Sequence, residues 1–202
     1  LKRGFKKLGR NFYLRDTIKI ARQLIGKVIF RKTGSSYLSG IIVETEAYLG
    51  EKDAASHAYG GKKNRNEVMF EEGGKAYVYF TYGNHFCFNV VTGKSDSGSA
   101  VLIRALEPVL GVRQMMKNRS IDDLYNLTNG PGKLTKAFRI DKTLNGVSLL
   151  GDKIFICEPE QHKKFTVRKS KRIGISKNTD KLYRFYMKGN PYVSRNFVVK
   201  RK

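Results

Sequence analysis

The chain has 202 residues, 40% hydrophobic and 11% aromatic, enough apolar material for a packed core in one domain or a tight pair. Forty Lys and Arg against seventeen Asp and Glu leave a formal charge of +23, so the expected partner is an anionic polymer or surface, nucleic acid foremost. No apolar run approaches the roughly 18 residues of a membrane span, no signal-peptide pattern or basic amphipathic helix is found, and two cysteines and three histidines lie too far apart for a zinc or iron–sulfur site.

Residues 15–27, RDTIKIARQLIGK, predict an early helix. Asp16 caps it, Ile18, Ala21, Leu24 and Ile25 form an apolar stripe, and Gly26 ends it. Two strands follow, KVIFRK and SGIIVETEAY. In the second, Glu44, Glu46 and Tyr48 alternate with Val43, Thr45 and Ala47, so two acids and a tyrosine project from one face. The polar, Gly- and Lys-rich stretch over residues 50–75 is long for a structureless connection, which is a mark of functional loops. AYVYFTYGNHFCFNVV reads as a β-hairpin with Gly83 and Asn84 in its turn.

SAVLIRALEP is a further strand, and EPVLGVRQMMKNR a helix despite Gly111. GPGKLTKAF is another helix, with Pro131 early and Leu134, Ala137 and Phe138 on one side. DKIFICE and KLYRFYMKG are late strands. Hairpins outnumber βαβ units, so the expected class is α+β with an antiparallel sheet, as a single domain over residues 1–202. Cys87 and Cys157 are expected to be reduced thiols of an intracellular protein, Cys87 a packed strand residue rather than a nucleophile. The missing initiator Met suggests a trimmed chain.

Walker A and G-x-G-x-x-G patterns are missing, which argues against ATP-driven and dinucleotide redox chemistry. What remains is acid/base chemistry, a basic surface and aromatic residues near polar loops. Taken singly, each candidate has an ordinary structural explanation. A strand Glu is usually solvated or ion-paired, Tyr79 packs across a hairpin, and His57 makes loop hydrogen bonds. Arg104 in an apolar strand suggests a buried ion pair, and Lys133 is a solvated side chain as readily as a phosphate contact.

Taken together, VETEAYLG, ASHAYGG, RNEVMF, AYVYFTYGNHFCFNVV, AVLIRALEP, NGPGKLTKAF and RFYMKGNPYVS resemble, in chain order from about Gly9 to Ser194, the alkyladenine (3-methyladenine) DNA glycosylase family. The resemblance implies a curved antiparallel sheet surrounded by helices, with the hairpin projecting toward DNA. It implies a monofunctional, cofactor-free and metal-free enzyme that flips a damaged purine out of the duplex and hydrolyses its N-glycosidic bond. Glu46 matches the water-activating base, which stabilises oxocarbenium-like charge on the sugar. Glu44 is assigned to support or to pairing with a basic side chain. Tyr48 and His57 match the residues that sandwich the base, with Tyr79 completing an aromatic pocket suited to electron-poor lesions.

Tyr82 matches a wedge that fills the gap left in the duplex. The family often has an apolar residue where this chain has Asn84, so the contact at the hairpin tip is expected to differ. Asn89 matches a pocket residue that disfavours guanine by clash with its 2-amino group. Arg104 matches a position near the flipped nucleotide's phosphate and the attacking water, and Leu102 lines the pocket. Arg65 and Asn66 order the long loop, and His85 is assigned no more than a loop hydrogen bond.

The implied partner is double-stranded DNA containing damaged purines, bound by a monomer with no membrane contact. The implied place is the cytoplasm, at the nucleoid, in a bacterium, or the nucleus in a eukaryote. The lesion range stays open among 3-methyladenine, 7-methylguanine, hypoxanthine and ethenoadenine. Charge and aromatics alone fit a non-enzymatic nucleic-acid-binding module equally well. The many lysines also leave room for a glycosylase with lyase activity, which needs an amine nucleophile.

Overall fold

The structure is a computed structural model that describes residues 6–81, 83–161 and 164–194. Its centre is β2, Ser36–Leu49, a 14-residue strand with neighbours along both edges. One edge pairs antiparallel with β5 (Ser99–Leu110) over Ser39–Leu49. The other is divided between β1 (Val28–Thr33), which takes residues 36–41, and β8 (Arg184–Met187), which takes Glu44–Glu46. The hairpin of β3 (Ala76–Thr81) and β4 (His85–Thr92) joins the far edge of β5. β6 (Ile154–Cys157) closes on β1 and β7 (Val167–Ser170) on β8, giving one antiparallel sheet with the order β3-β4-β5-β2-β1-β6. With its helices the fold is α+β.

The pairing of β2 with β5 shifts register twice near its middle. Ile42 faces Leu106 while Glu44 faces Ala105, so Val43 is the extra residue on β2; Thr45 then faces Ile103, so Arg104 is the extra residue on β5. Paired bulges of this kind re-aim side chains beside functional sites. Here they turn Arg104 onto Glu44 and Glu46.

Four α-helices are described: α1 (Arg10–Tyr13), α2 (Thr17–Leu24), α3 (Val112–Arg119) and α4 (Pro131–Phe138). Asp16 caps α2 as expected, its carboxylate accepting from the Lys19 N–H at 2.8 Å. The buried stripe is Ile20, Ala21, Leu24 and Ile25, with Ile18 only half-buried at its margin. Thr45 Oγ1 donates to Ala21 O at 2.8 Å, which seats α2 on the back of β2.

The second expected helix begins later than its sequence suggested. Residues 107–110 continue β5, with Leu110 opposite Ser39, and α3 starts only after Gly111. That glycine has φ 79°, and a Cβ there would run into Leu38. α4 begins at Pro131 and buries Leu134, Thr135, Ala137 and Phe138. The exposed pattern of VRKS did not announce β7, which forms because β8 offers it an edge. Among the described residues, no helix is long and apolar enough to cross a membrane.

Candidate active site

Alternation on four adjacent strands builds one wall of a cavity. In antiparallel pairs, opposed residues share a face, so Tyr77, Asn89, Leu102 and Glu46 form a row across β3, β4, β5 and β2. Two positions to one side of that row Tyr79 faces Cys87, and two positions to the other Tyr48 faces Ala100. The opposite face carries Val78, Phe88, Val90, Val101 and Ile103 into the main core. The cavity above the row holds about 310 Å³, at the small end for ligand sites. Residues 50–75 cover one side with Ala55, His57 and Met69, and Ile173, Gly174 and Ile175 form another.

Glu44 and Glu46 are both fully buried. Glu44 Oε1 accepts from Arg104 Nε at 2.9 Å, Arg184 Nε at 2.7 Å and Ser194 Oγ at 2.7 Å, and its Oε2 accepts from Ser194 N at 2.7 Å. Glu46 has fewer donors. Its Oε1 accepts from Ile173 N at 2.8 Å, and its Oε2 from the Tyr48 hydroxyl at 2.9 Å and Arg104 Nη1 at 3.3 Å. Burial pushes the Glu46 carboxyl above the ordinary carboxylate range, while Arg104, the Ile173 N–H and the Tyr48 hydroxyl pull the other way. Burial likewise holds the Tyr48 hydroxyl protonated, and the adjoining Glu46 adds to that. Tyr48 and Arg104 both line the cavity, so the carboxylate stands directly behind two of its walls.

The aromatic walls are braced against one another. His57 lies 4.4 Å from Tyr79 between ring centroids, and its Nδ1 is 3.1 Å from the Tyr77 hydroxyl. Burial, with help from the charge of Arg65, holds the His57 imidazole below its usual pKa and therefore neutral at physiological pH. A neutral ring does not repel a cationic base. Burial also pushes the Tyr77 phenol up to about 12. Asn66 is buried within the long loop, where its Nδ2 donates to His57 O at 2.8 Å and Gly61 O at 3.1 Å. That accounts for the order expected of the loop; Arg65, beside it, is exposed.

The expected site residues Tyr48, His57, Tyr79, Asn89, Leu102 and Arg104 gather around this one cavity, and Glu46 lies behind it. Asn89 Nδ2 donates to Tyr77 O at 3.1 Å, which leaves its second N–H and its Oδ1 to turn elsewhere. Tyr82 lies outside the described residues. Asn84 is exposed, and His85, assigned only a loop contact, also lines the cavity. Lys133 Nζ donates to Asn126 Oδ1, and at 2.8 Å to Asn129 Oδ1. Cys87 is buried beside Tyr79, and burial raises its thiol pKa, which leaves it a packing residue.

Tyr77 was passed over, although its alternation with Tyr79 in AYVYF was a readable signal. Ile173 was passed over with no signal available, since it contributes a backbone N–H from a loop far along the chain.

A family model for methylpurine-DNA glycosylase matches residues 11–191. A relative from Natranaerobius thermophilus is 45% identical over 94% of this chain and the whole of its own length. One from Desulfitobacterium hafniense is 44% identical over 94% of this chain and 98% of its own. A third, from Carboxydothermus hydrogenoformans, is 48% identical over 93% and 98%. All three carry the name "Putative 3-methyladenine DNA glycosylase". With a family model spanning nearly the whole chain and relatives this similar end to end, the chain belongs to the methylpurine-DNA glycosylase family, and it is a DNA-binding repair glycosylase.

Proposed function

We propose that the enzyme acts as a monomer on duplex DNA containing damaged purines of the 3-methyladenine kind. It hydrolyses the N-glycosidic bond of the flipped nucleotide and leaves an abasic site. Tyr48, His57 and Tyr79 hold the extruded base, and their π-faces attract alkylated rings that carry positive charge. Asn89 and Leu102 shape the inner end of the cavity and limit which purines enter. Tyr82 wedges into the duplex in place of the flipped nucleotide. The +23 charge supplies the phosphate contacts, so binding weakens steeply with salt. In a bacterial cell its workplace is the nucleoid.

Glu46 is the base. Its carboxylate withdraws a proton from water as the oxygen attacks C1′, while its charge stabilises the oxocarbenium-like sugar. Arg104 keeps that carboxylate ionised in a site where burial opposes ionisation. One observation carries the assignment: a fully buried carboxylate, its charge opposed by desolvation, sits against the hydroxyl of a cavity tyrosine. A carboxylate whose pKa is raised above the ordinary range takes a proton from water more readily than an exposed one.

The test is incubation of the full chain with a 3-methyladenine duplex, followed by alkali. Strand breaks at the lesion after alkali, and none before it, are expected. A covalent adduct trapped by borohydride would replace water attack with an amine nucleophile. No breaks across a panel of alkylated and deaminated purines would leave a binding module.

A further inference from the structure

A second buried ion pair lies beside the site and takes no part in the proposed chemistry. Asp53 and Arg172, 119 residues apart, are both buried. Arg172 Nη2 donates to Asp53 Oδ1 at 2.9 Å, Nη1 donates to Asp53 Oδ2, and Nη1 also donates to Ala47 O at 2.9 Å. Asp53 accepts further from Ala55 N and Asn178 Nδ2, each at 3.1 Å, and from Leu49 N at 3.3 Å.

Three features tie this pair to the site. Residue 173, next in the chain to Arg172, provides the N–H that holds Glu46 Oε1. The Arg172 guanidinium lies 4.7 Å from the centroid of the Tyr48 ring, covering one of its faces. Asp53 begins the loop that brings Ala55 and His57 to the cavity, whereas Arg172 begins the segment that brings Ile173, Gly174 and Ile175. One fork-to-fork contact therefore fastens both covering loops to each other and, through Ala47 O, to β2. A planar guanidinium held through both terminal nitrogens leaves little freedom to the residue that follows it.

We propose that Asp53 and Arg172 are positioning residues, a clamp that holds the Ile173 N–H on Glu46 and the Tyr48 ring against the cavity. The proposal rests on the reading of Glu46 as the base. Two effects follow from loosening the clamp. The geometry of the carboxylate relaxes, which slows the chemical step more than binding. The carboxylate also loses a donor that favours its charged form, so it ionises at higher pH.

The test is single-turnover release of 3-methyladenine from duplex DNA, followed from acid to neutral pH. It compares the full chain with Asp53→Asn, Arg172→Lys and Asn178→Ala, with thermal melting and affinity for an abasic-site duplex measured alongside. Asp53→Asn and Arg172→Lys should release base about 10- to 100-fold more slowly at neutral pH. Their acid limb should move to higher pH while abasic-duplex affinity holds. Asn178→Ala removes one donor from Asp53 at the outer side of the clamp, and should move the limb the same way by less.

A variant that melts lower yet keeps the wild-type rate and acid limb would overturn the proposal, since the pair would then only stabilise the fold. Slower release with an unmoved limb would overturn it too. Should the first two variants fail to fold, Asn178→Ala decides by the same criteria. If the wild-type chain itself leaves no abasic site, the reading of Glu46 falls first and the clamp's catalytic part falls with it.

Discussion

Glu44 and Glu46 stand two residues apart on β2, both fully buried and both touching Arg104, yet their surroundings set them to different tasks. Glu44 accepts from Arg104, Arg184 and both donors of Ser194, and all four contacts lie between 2.7 and 2.9 Å. Its acceptor capacity is spent on joining β2, β5 and β8 to the segment around residue 194. Glu46 has one arginine, at 3.3 Å, one backbone N–H and one phenol, and all three belong to residues of the cavity walls. A saturated carboxylate is a joint. A carboxylate with less compensation than its burial demands is able to take a proton.

The comparison breaks most visibly at Glu46→Gln. The amide keeps shape and some hydrogen bonding but neither accepts a proton nor stabilises a cationic sugar, so release of 3-methyladenine should fall by about 10³-fold or more. Affinity for an abasic-site duplex should persist. Melting should fall less than in Glu44→Gln, because losing a carboxyl whose charge is disfavoured by burial offsets the weaker counter-charge left to Arg104, which keeps Glu44. Full activity in that variant would remove Glu46 from the mechanism.

Glu44→Gln should do the reverse. It leaves Arg184 and Arg104 short of a buried counter-charge, a loss of about 3–5 kcal/mol. In a chain this size that lowers Tm by about 10 °C. Whatever folded enzyme remains should release base at a rate much closer to wild type than Glu46→Gln does, and equal losses of activity in the two variants would end the distinction.

How much of this was legible beforehand depends on range. The alternation of Glu44, Glu46 and Tyr48 is a local property, and so is that of Tyr77 with Tyr79, because period two holds wherever a strand forms. Arg104, a lone cation in an apolar strand, suggested a buried ion pair but not its partners. Its reach to both acids depends on two bulges, and those exist only once β2 and β5 are in register. The expectation of a helix from Glu107 onward failed for a related reason: EPVL was free to be either element until Ser39 and Gly40 offered it partners. The Asp53–Arg172 clamp and the Ile173 N–H lay beyond local signals altogether, since each joins segments more than a hundred residues apart. Glu44's partners at Arg184 and Ser194 are as remote, which is why a basic partner was foreseeable and its identity was not.

A milder probe sharpens the comparison through pH. Glu46 must be ionised to act, and burial raises its pKa, so the single-turnover rate should rise with pH along an acid limb set above the ordinary carboxylate range. His57 is held neutral and should not contribute a second limb near neutrality. An acid limb at or below the usual range would mean that Arg104 and the other donors outweigh desolvation, and the contrast with Glu44 would then be one of position alone.

The smallest expected effect is at Tyr48→Phe. The ring that faces the base is kept and only the hydroxyl 2.9 Å from Glu46 Oε2 is lost. A hydrogen bond to a charged group contributes about 1.5–3 kcal/mol, and most of this loss falls on the ionised form of Glu46. The acid limb should therefore move to higher pH, with release slower than wild type by about tenfold or more below the limb and little changed once the pH is well above it. Affinity for an abasic duplex should hold, because that ligand offers no base to stack. If the rate drops equally at every pH, the hydroxyl acts on the bound base or the water rather than on Glu46. Tyr48 would then belong wholly to the cavity, and the line between the two carboxylates would run through Arg104 and Ile173 alone.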